Sequence, residues 1–216
     1  MKIFKPTIEK SEVATLPTAQ FEGRIITIDT PTDADKVAFA LSREKAIGID
    51  TETRPAFRKG VHHKVSLLQL STADTCFLIR LCRTGLTDSL MALLENEEIK
   101  KIGVSLHDDT QALMKLRRFT PGSFIDLQKE VPRYGIEEMS LQKIYAIIFG
   151  KKISKSQRLT NWEADVLNDQ QKEYAAIDAW VCLKIYDRIE ELKASGEYKV
   201  IPAPVVEEVV ITDKME

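Results

Sequence analysis

Short runs of apolar and β-branched residues alternate with stretches whose apolar positions recur every three or four residues. The first pattern predicts strands, and the second predicts amphipathic helices. Strands are expected at residues 24–30, 46–50, 64–72, 75–81, 100–105 and 124–127. Helices are expected at residues 31–44, 86–99, 108–119, 140–150 and 168–194. This order predicts an α/β fold in which helices flank a mixed β-sheet.

The composition is that of a single globular domain. Among the 216 residues, 44 % are apolar, which is enough for a sizeable core, and the formal net charge is only −2. This balance excludes an extended disordered chain and a strongly basic coat protein, but local basic patches remain compatible with nucleic-acid binding. The three cysteines form no Cys-x-x-Cys pair, so we expect buried thiols in a reducing compartment. Without an apolar leader or a membrane-spanning run, the protein is expected to be cytoplasmic.

Two carboxylates lie at the end of a predicted strand. Asp50 and Glu52 are two positions apart, so both side chains project from the same face of that strand. Ile47 and Ile49 are expected to pack on the opposite face, and Gly48 leaves room beneath the carboxylates. Ligand sites of α/β proteins usually form at strand ends, although a pair of solvated acids is the alternative explanation.

Further acidic residues lie on two predicted helices. Asp108 and Asp109 open one helix, where helix capping alone would explain them. Tyr174 and Asp178 are four positions apart in the long helix and therefore share one face. Burying an unpaired Asp178 on that apolar face would be costly, so it needs a cation, either a metal ion or a basic side chain.

Together these positions predict a metal site if the strand and the helices converge. Asp50, Glu52, Asp109 and Asp178 would repel one another strongly without cations between them. Carboxylate oxygens select hard ions such as Mg²⁺ or Mn²⁺. Two such ions about 3.5–4 Å apart would neutralise the cluster and suit the in-line hydrolysis of a phosphodiester.

Three segments resemble the exonuclease motifs of the DEDD superfamily. They are DTET at 50–53, KIGVSLHDD at 101–109 and YAAIDAW at 174–180. A tyrosine four residues before the last aspartate is typical of the DEDDy branch. Residues 47–81 and 155–180 are similar to Werner-type and ribonuclease D-type exonuclease domains, and the resemblance extends over residues 22–192.

The resemblance implies a ribonuclease H-like fold and 3′→5′ exonuclease activity. The exonuclease domain is expected at residues 22–194, between an N-terminal extension at 1–21 and an acidic C-terminal tail at 195–216. The implied inner metal ligands are Asp50, Glu52 and Asp178. Asp109 would be the outer carboxylate, with Asp108 as the alternative. Tyr174 would orient the attacking water and Glu52 would help to hold it; a phenol with a pKa of about 10 is a poor base at neutral pH, so metal ions are expected to activate the water.

Two basic segments are expected to contact the nucleic-acid backbone. Residues 54–64 and 150–160 contain several lysines and arginines and no acidic residue. Phosphate contacts from such residues give salt-dependent affinity without sequence preference, although a pair of solvated loops is the alternative. Phe57 is a candidate for stacking on a base, unless it packs beneath its loop. The predicted nucleic-acid contacts are Thr53, Phe57, Arg58, Lys155 and Arg158.

The leading hypothesis is a two-metal 3′→5′ exonuclease that uses Mg²⁺ or Mn²⁺ and releases nucleoside 5′-monophosphates from single-stranded or recessed 3′ ends. The short segment after the domain would not hold the helical domains of a ribonuclease D-like protein, which favours DNA over RNA. Ribonuclease D-like RNA trimming and a non-catalytic nucleic-acid-binding module are the alternatives. Any helicase or polymerase partner would be a separate chain, and no membrane partner is expected. The sequence leaves the oligomeric state open.

Overall fold

A computed structural model describes residues 1–200 and confirms the predicted alternation of strands and helices. The strands are β1 (Arg24–Ile28), β2 (Ala46–Thr53), β3 (Val65–Ser71), β4 (Thr75–Ile79), β5 (Lys100–Gly103) and β6 (Phe124–Asp126). The helices are α1 (Lys10–Thr15), α2 (Pro31–Leu41), α3 (Leu81–Thr84), α4 (Asp88–Glu95), α5 (Leu106–Leu116), α6 (Leu127–Glu130), α7 (Leu141–Phe149) and α8 (Asp169–Ser195). A 3₁₀ turn at Val131–Tyr134 follows α6. The short helices α1, α3 and α6 were not predicted, because one turn contains too few periodic positions.

The six strands form one mixed sheet in the order β1-β4-β3-β2-β5-β6. Strand β3 runs antiparallel to β2 and β4, whereas the other three pairs are parallel. In the register of β2 and β3, Asp50 lies opposite Gln69 and Glu52 lies opposite Leu67. Directly opposite residues of an antiparallel pair project to the same face of the sheet. Asp50, Glu52, Leu67 and Gln69 therefore share one face.

Helices cover both faces of this sheet, as the sequence predicted. Ile47 and Ile49 of β2 pack into a core with buried residues of α2, α4 and α5. On the other face, Leu67 of β3 packs with Ala175 and Ala179 of α8. Helix α7 packs beside α8 on that same side. The carboxylates of β2 consequently face α8, while the two isoleucines anchor the strand to the opposite helical layer.

Helix α8 lies close against β2. It begins with a capping box in which the Asn168 and Gln171 side chains each accept a hydrogen bond from the other residue's backbone N–H. A Cβ atom at Gly48 would come within 2.0 Å of the Ala179 carbonyl oxygen, so the close approach requires glycine at this position. The backbone of α8 is thus held against the face of β2 from which Asp50 projects.

The N-terminal segment packs on the rest of the chain. Phe4 and Ile8 are buried, and Thr18 forms a β-bridge with Lys152. Residues 201–216 of the predicted acidic tail lie outside the described part of the chain. No helix within residues 1–200 is both long enough and apolar enough to cross a bilayer.

The expectation of three buried thiols is wrong for one cysteine. Cys76 and Cys182 are buried, but Cys82 is exposed. The predicted strand at 75–81 ends at Ile79, and Cys82 lies in the helical turn α3, where Leu81 and Thr84 point inward instead. Residues of a helical turn share a face at a spacing of three, which leaves Cys82 facing outward.

Candidate active site

Three carboxylates from two elements meet beside the end of β2. Asp50 and Glu52 project from the same face of the strand, and Asp178 projects toward them from α8. One carboxylate oxygen from each of the three residues lies within 4.8 Å of the other two. Asp178 is 8 % exposed, and the two strand residues are half-buried. The sequence prediction that these elements converge is confirmed for these three carboxylates.

Burial and mutual repulsion raise the pKa values of this cluster. Burial is the main cause for Glu52, whose pKa rises to about 8, with further contributions from the Asp178 and Asp109 charges. Burial also raises the pKa of Asp178 to about 7. The pKa of Asp50 lies well above its usual range, because removal from water penalises its charge and the charges of Asp178, Asp109 and Glu52 repel it. Protons therefore occupy part of the cluster at neutral pH when no cation neutralises it.

Asp109 lies apart from this group of three. Helix α5 packs against the sheet on the face opposite α8, and the Asp109 carboxylate accepts a hydrogen bond from the Thr51 hydroxyl. Burial raises the pKa of Asp109 to about 6, although the hydrogen bond from Thr51 opposes the shift. Asp109 remains near enough for its charge to raise the pKa values of Asp50 and Glu52. The neighbouring Asp108 is exposed and takes no part in this hydrogen bond.

The start of α5 is held by a residue that the sequence analysis did not single out. Both carboxylate oxygens of Asp126, at the end of β6, accept hydrogen bonds from α5: from the backbone N–H of Ser105 and from that of Leu106, each at 3.2 Å. Ser105 has a left-handed backbone with φ of 59°, and its hydroxyl accepts a hydrogen bond from Gln128 at 2.9 Å. Asp126 thus caps the helix that carries Asp109. Because Asp126 lies 20 residues from Leu106 in the sequence, no local sequence pattern indicates this cap.

Tyr174 lies one helical turn before Asp178, with 9 % of its surface exposed. Burial is the main reason that its pKa is raised, and the Asp178 and Glu52 charges raise it further. The Tyr174 phenol in turn opposes the rise in the pKa of Asp178. The Tyr174 ring packs near the fully buried Trp162, with 6.1 Å between ring centroids. Tyr174 is therefore a protonated hydrogen-bond donor at neutral pH rather than a base.

The donor set of the cluster fits a hard divalent cation. All the ligand atoms available are carboxylate oxygens, which Mg²⁺ and Mn²⁺ prefer. The three acids lie within 4.8 Å of one another, and the positive charges of Arg158 and Lys155 do not return their pKa values to the usual range. The raised pKa values express an imbalance of charge, because a cation would favour the charged form of each acid.

Two of the predicted basic residues act directly on the cluster. The positive charge of Arg158 lowers the pKa of Glu52, and that of Lys155 lowers the pKa of Asp178. Both belong to the loop between α7 and α8. Arg54, from the other basic segment, is engaged elsewhere, because its guanidinium donates to Glu163 at 3.2 Å. Thr53 is exposed at the last position of β2.

A cleft opens between the segments that follow β2 and precede α8. Its volume is about 490 Å³, and Phe57, Arg58 and Leu159 are among its lining residues. Phe57 is 82 % exposed, so packing beneath the loop does not explain it. Glu163 joins the two sides of the cleft, since it contacts Arg54 at 3.2 Å and His63 at 3.5 Å. The sequence analysis did not single out Glu163, because no local sequence pattern distinguishes this residue from its neighbours.

Comparisons with known proteins point to one family. The family model described as 3′-5′ exonuclease matches residues 25–193. The chain is 30 % identical over 200 residues to the bifunctional 3′-5′ exonuclease/ATP-dependent helicase WRN of Mus musculus, covering 87 % of this chain and 14 % of that protein. It is 28 % identical over 201 residues to a 3′-5′ exonuclease of Arabidopsis thaliana, covering 86 % of this chain and 70 % of the relative.

Solved structures agree with this similarity. The Nibbler EXO domain of Aedes aegypti superposes with a TM-score of 0.74 at 23 % identity, covering 84 % of this chain and 95 % of that one. Escherichia coli RNase D, described as an exoribonuclease involved in structured RNA processing, superposes with a TM-score of 0.70 at 26 % identity. That match covers 80 % of this chain and 46 % of RNase D. The predicted ribonuclease H-like fold is thereby confirmed.

Proposed function

Because the chain belongs to the 3′-5′ exonuclease family, we propose that it hydrolyses phosphodiester bonds from the 3′ end of nucleic acid and releases nucleoside 5′-monophosphates. The observation that carries this proposal is the group of carboxylate oxygens of Asp50, Glu52 and Asp178 within 4.8 Å of one another. Such a group is unfavourable for an apoprotein and suitable for divalent cations that bind a phosphodiester.

Asp50, Glu52 and Asp178 would hold Mg²⁺ or Mn²⁺, with Asp109 as an outer carboxylate. Asp109 is favoured over Asp108 because it is half-buried, bonded to Thr51 and electrostatically coupled to Asp50. We propose two ions for this site, because the negative charge of the four carboxylates exceeds what one divalent ion neutralises. When bound, the ions supply positive charge to the reacting phosphate and make water acidic enough to react at neutral pH.

The residues of the chain have distinct tasks in the proposed reaction. Tyr174 donates a hydrogen bond that orients the attacking water, and its raised pKa keeps the donor proton in place. Glu52 helps to hold that water. A water oxygen forms the new bond to phosphorus while the bond to the 3′ oxygen breaks, and the water's proton ends on the new 3′ hydroxyl of the shortened strand. We propose that Lys155 and Arg158, whose positive charges act on Asp178 and Glu52, bind the phosphates on either side.

The strand that leads to the site is proposed to occupy the cleft beside Phe57. A largely exposed aromatic ring can stack on a base without selecting its identity. Arg58 lies in the same cleft wall, and Thr53 ends the adjoining strand. These contacts involve the nucleic-acid backbone and one face of a base. The proposed binding is therefore independent of nucleotide sequence.

DNA is the proposed polymer, with RNA as the second candidate. Identity reaches 30 % with the WRN relative and 25 % with a Ribonuclease D from Gluconacetobacter diazotrophicus, over 200 and 174 residues respectively. The fold similarity to E. coli RNase D supports RNA instead. The WRN relative is named as both an exonuclease and a helicase, and this chain spans 14 % of that protein; we propose a helicase as a functional partner of this exonuclease domain.

The test uses single-stranded DNA, matched RNA and a recessed duplex, each labelled at the 3′ or the 5′ end. Reactions contain Mg²⁺, Mn²⁺ or EDTA, and the controls are Asp50→Asn, Asp109→Asn and Asp108→Asn. We expect metal-dependent shortening from the 3′ end that Asp50→Asn and Asp109→Asn abolish and Asp108→Asn retains. Loss of activity in Asp108→Asn alone would reverse the assignment of the outer carboxylate. No cleavage and no metal effect would favour a non-catalytic nucleic-acid-binding module.

A further inference from the structure

Gln69 is a fully buried polar residue whose side chain has no hydrogen-bond partner within the described residues. It lies in the middle of β3 with 0 % of its surface exposed. Neither Nε2 nor Oε1 has a hydrogen-bond partner within residues 1–200. A buried amide without hydrogen-bond partners destabilises the folded protein, because it loses its hydrogen bonds to water and gains none in return. An apolar side chain of similar size would avoid this cost, so stability does not explain a glutamine here.

The position of Gln69 connects it to the carboxylate cluster. It lies directly opposite Asp50 in the antiparallel register of β2 and β3, and the two Cβ atoms of such a pair are about 4.5–5.5 Å apart. Both side chains project toward α8. Leu67, two positions before Gln69 on β3 and therefore on the same face, packs against Ala175 and Ala179 of that helix. The unpaired amide is therefore a neighbour of the Asp50 carboxylate within the same buried layer.

We propose that Gln69 is a positioning residue for Asp50, an inference that rests on the proposed function. In the cation-loaded protein, the Gln69 Nε2–H donates a hydrogen bond to an Asp50 carboxylate oxygen, directly or through one buried water. This bond fixes the orientation in which Asp50 presents its other oxygen to the cation. Outer hydrogen bonds of this kind change metal affinity or activity by about 10–100-fold when they are removed.

A purely structural role and a positioning role make opposite predictions for Gln69→Met. Methionine has nearly the same volume and no amide, so the substitution removes the unsatisfied groups without opening a cavity. We expect the metal-free variant to melt at the same temperature as the wild type or higher. The Mn²⁺ concentration that gives half of the metal-dependent melting shift should nevertheless rise about tenfold or more. A structural glutamine would instead lower the metal-free melting temperature and leave the Mn²⁺ midpoint unchanged.

Two further variants complete the experiment. Leu68→Met changes the adjacent position of the same strand, which packs on the opposite face, and should leave the Mn²⁺ midpoint unchanged. Gln69→Leu provides a second apolar replacement if the methionine variant does not fold. An unchanged Mn²⁺ midpoint in a folded Gln69 variant, while Asp50→Asn loses the shift, would overturn the inference and leave the proposed function intact. Absence of any Mn²⁺ shift in the wild type would overturn both.

Discussion

The hydroxyl of Thr51 donates a hydrogen bond to the carboxylate of Asp109. Thr51 lies between Asp50 and Glu52 on β2, so its side chain projects from the opposite face of the strand. That face is covered by α5, which carries Asp109. One strand thus presents two carboxylates to α8 and, through the residue between them, positions a third carboxylate on α5.

Removing this hydroxyl should reduce activity more than stability. In Thr51→Val, the Asp109 carboxylate loses a hydrogen bond that favours its charged form, so its pKa should rise above about 6. We expect turnover at neutral pH to fall about tenfold, with a stability change of about 1 kcal/mol or less. Turnover measured across a Mn²⁺ titration checks this. Thr51→Ser keeps the hydroxyl and should retain most of the activity; equal losses in both variants would show that the methyl group matters instead.

Neutralising a cluster carboxylate should abolish activity without destabilising the metal-free protein. In Asp50→Asn or Asp178→Asn, one of several mutually repelling buried acids is removed. We therefore expect the melting temperature in EDTA to equal or exceed that of the wild type, and the Mn²⁺-dependent increase to disappear. Thermal melts with and without Mn²⁺ check both statements. A large loss of metal-free stability in both variants would contradict the electrostatic strain.

The stability of the metal-free protein should fall as the pH rises from 5 to 8. The pKa values of Asp178 and Glu52 are raised to about 7 and about 8 in the folded state, above those of free carboxyl groups. Over this range the folded protein binds more protons than the unfolded chain, so increasing pH favours unfolding. We expect a decrease of several degrees in melting temperature, measured in EDTA. The decrease should be smaller in Asp178→Asn. An equal slope of melting temperature against pH in the variant and the wild type would show that the decrease does not originate in this cluster.

Tyr174→Phe should slow turnover while leaving cation binding nearly unchanged. The variant keeps the ring that packs near Trp162 and loses only the hydroxyl that is proposed to orient water. Loss of one well-placed donor typically reduces kcat on the order of 10²-fold. Rate measurements at saturating substrate, paired with Mn²⁺-dependent melting, separate the two effects. Disappearance of the Mn²⁺ shift would contradict the role assigned to Tyr174.

The two loop cations should contribute to affinity through phosphate contacts. Lys155→Gln and Arg158→Gln are each expected to weaken binding of single-stranded DNA uniformly across sequences. Each should also reduce the slope of log affinity against log salt by about 0.7. Binding is measured by titrating labelled DNA at several salt concentrations in EDTA. Lys5→Gln, an exposed residue paired with Glu12 in the N-terminal segment, is the charge-matched control and should leave the slope unchanged.

The sequence was most informative where function depends on local spacing. Asp50 and Glu52 share a face because strands have a period of two, and Tyr174 and Asp178 share a face because helices repeat every 3.6 residues. The strands and long helices were predictable for the same reason. Short helices such as α3 were not, and Cys82 was expected to be buried because cysteines usually are, although it lies on the exposed side of α3.

Relationships between distant segments were decided only by the tertiary structure. The cap of α5 by Asp126, the bond from Thr51 to Asp109 and the unpaired amide of Gln69 opposite Asp50 depend on strand order and register. The sequence by itself determined which acids could act together on one strand or one helix, since these periods are properties of the local backbone. How those elements converge depended on packing, above all on the contact of Gly48 with α8, because long-range proximity arises from the burial of many side chains at once.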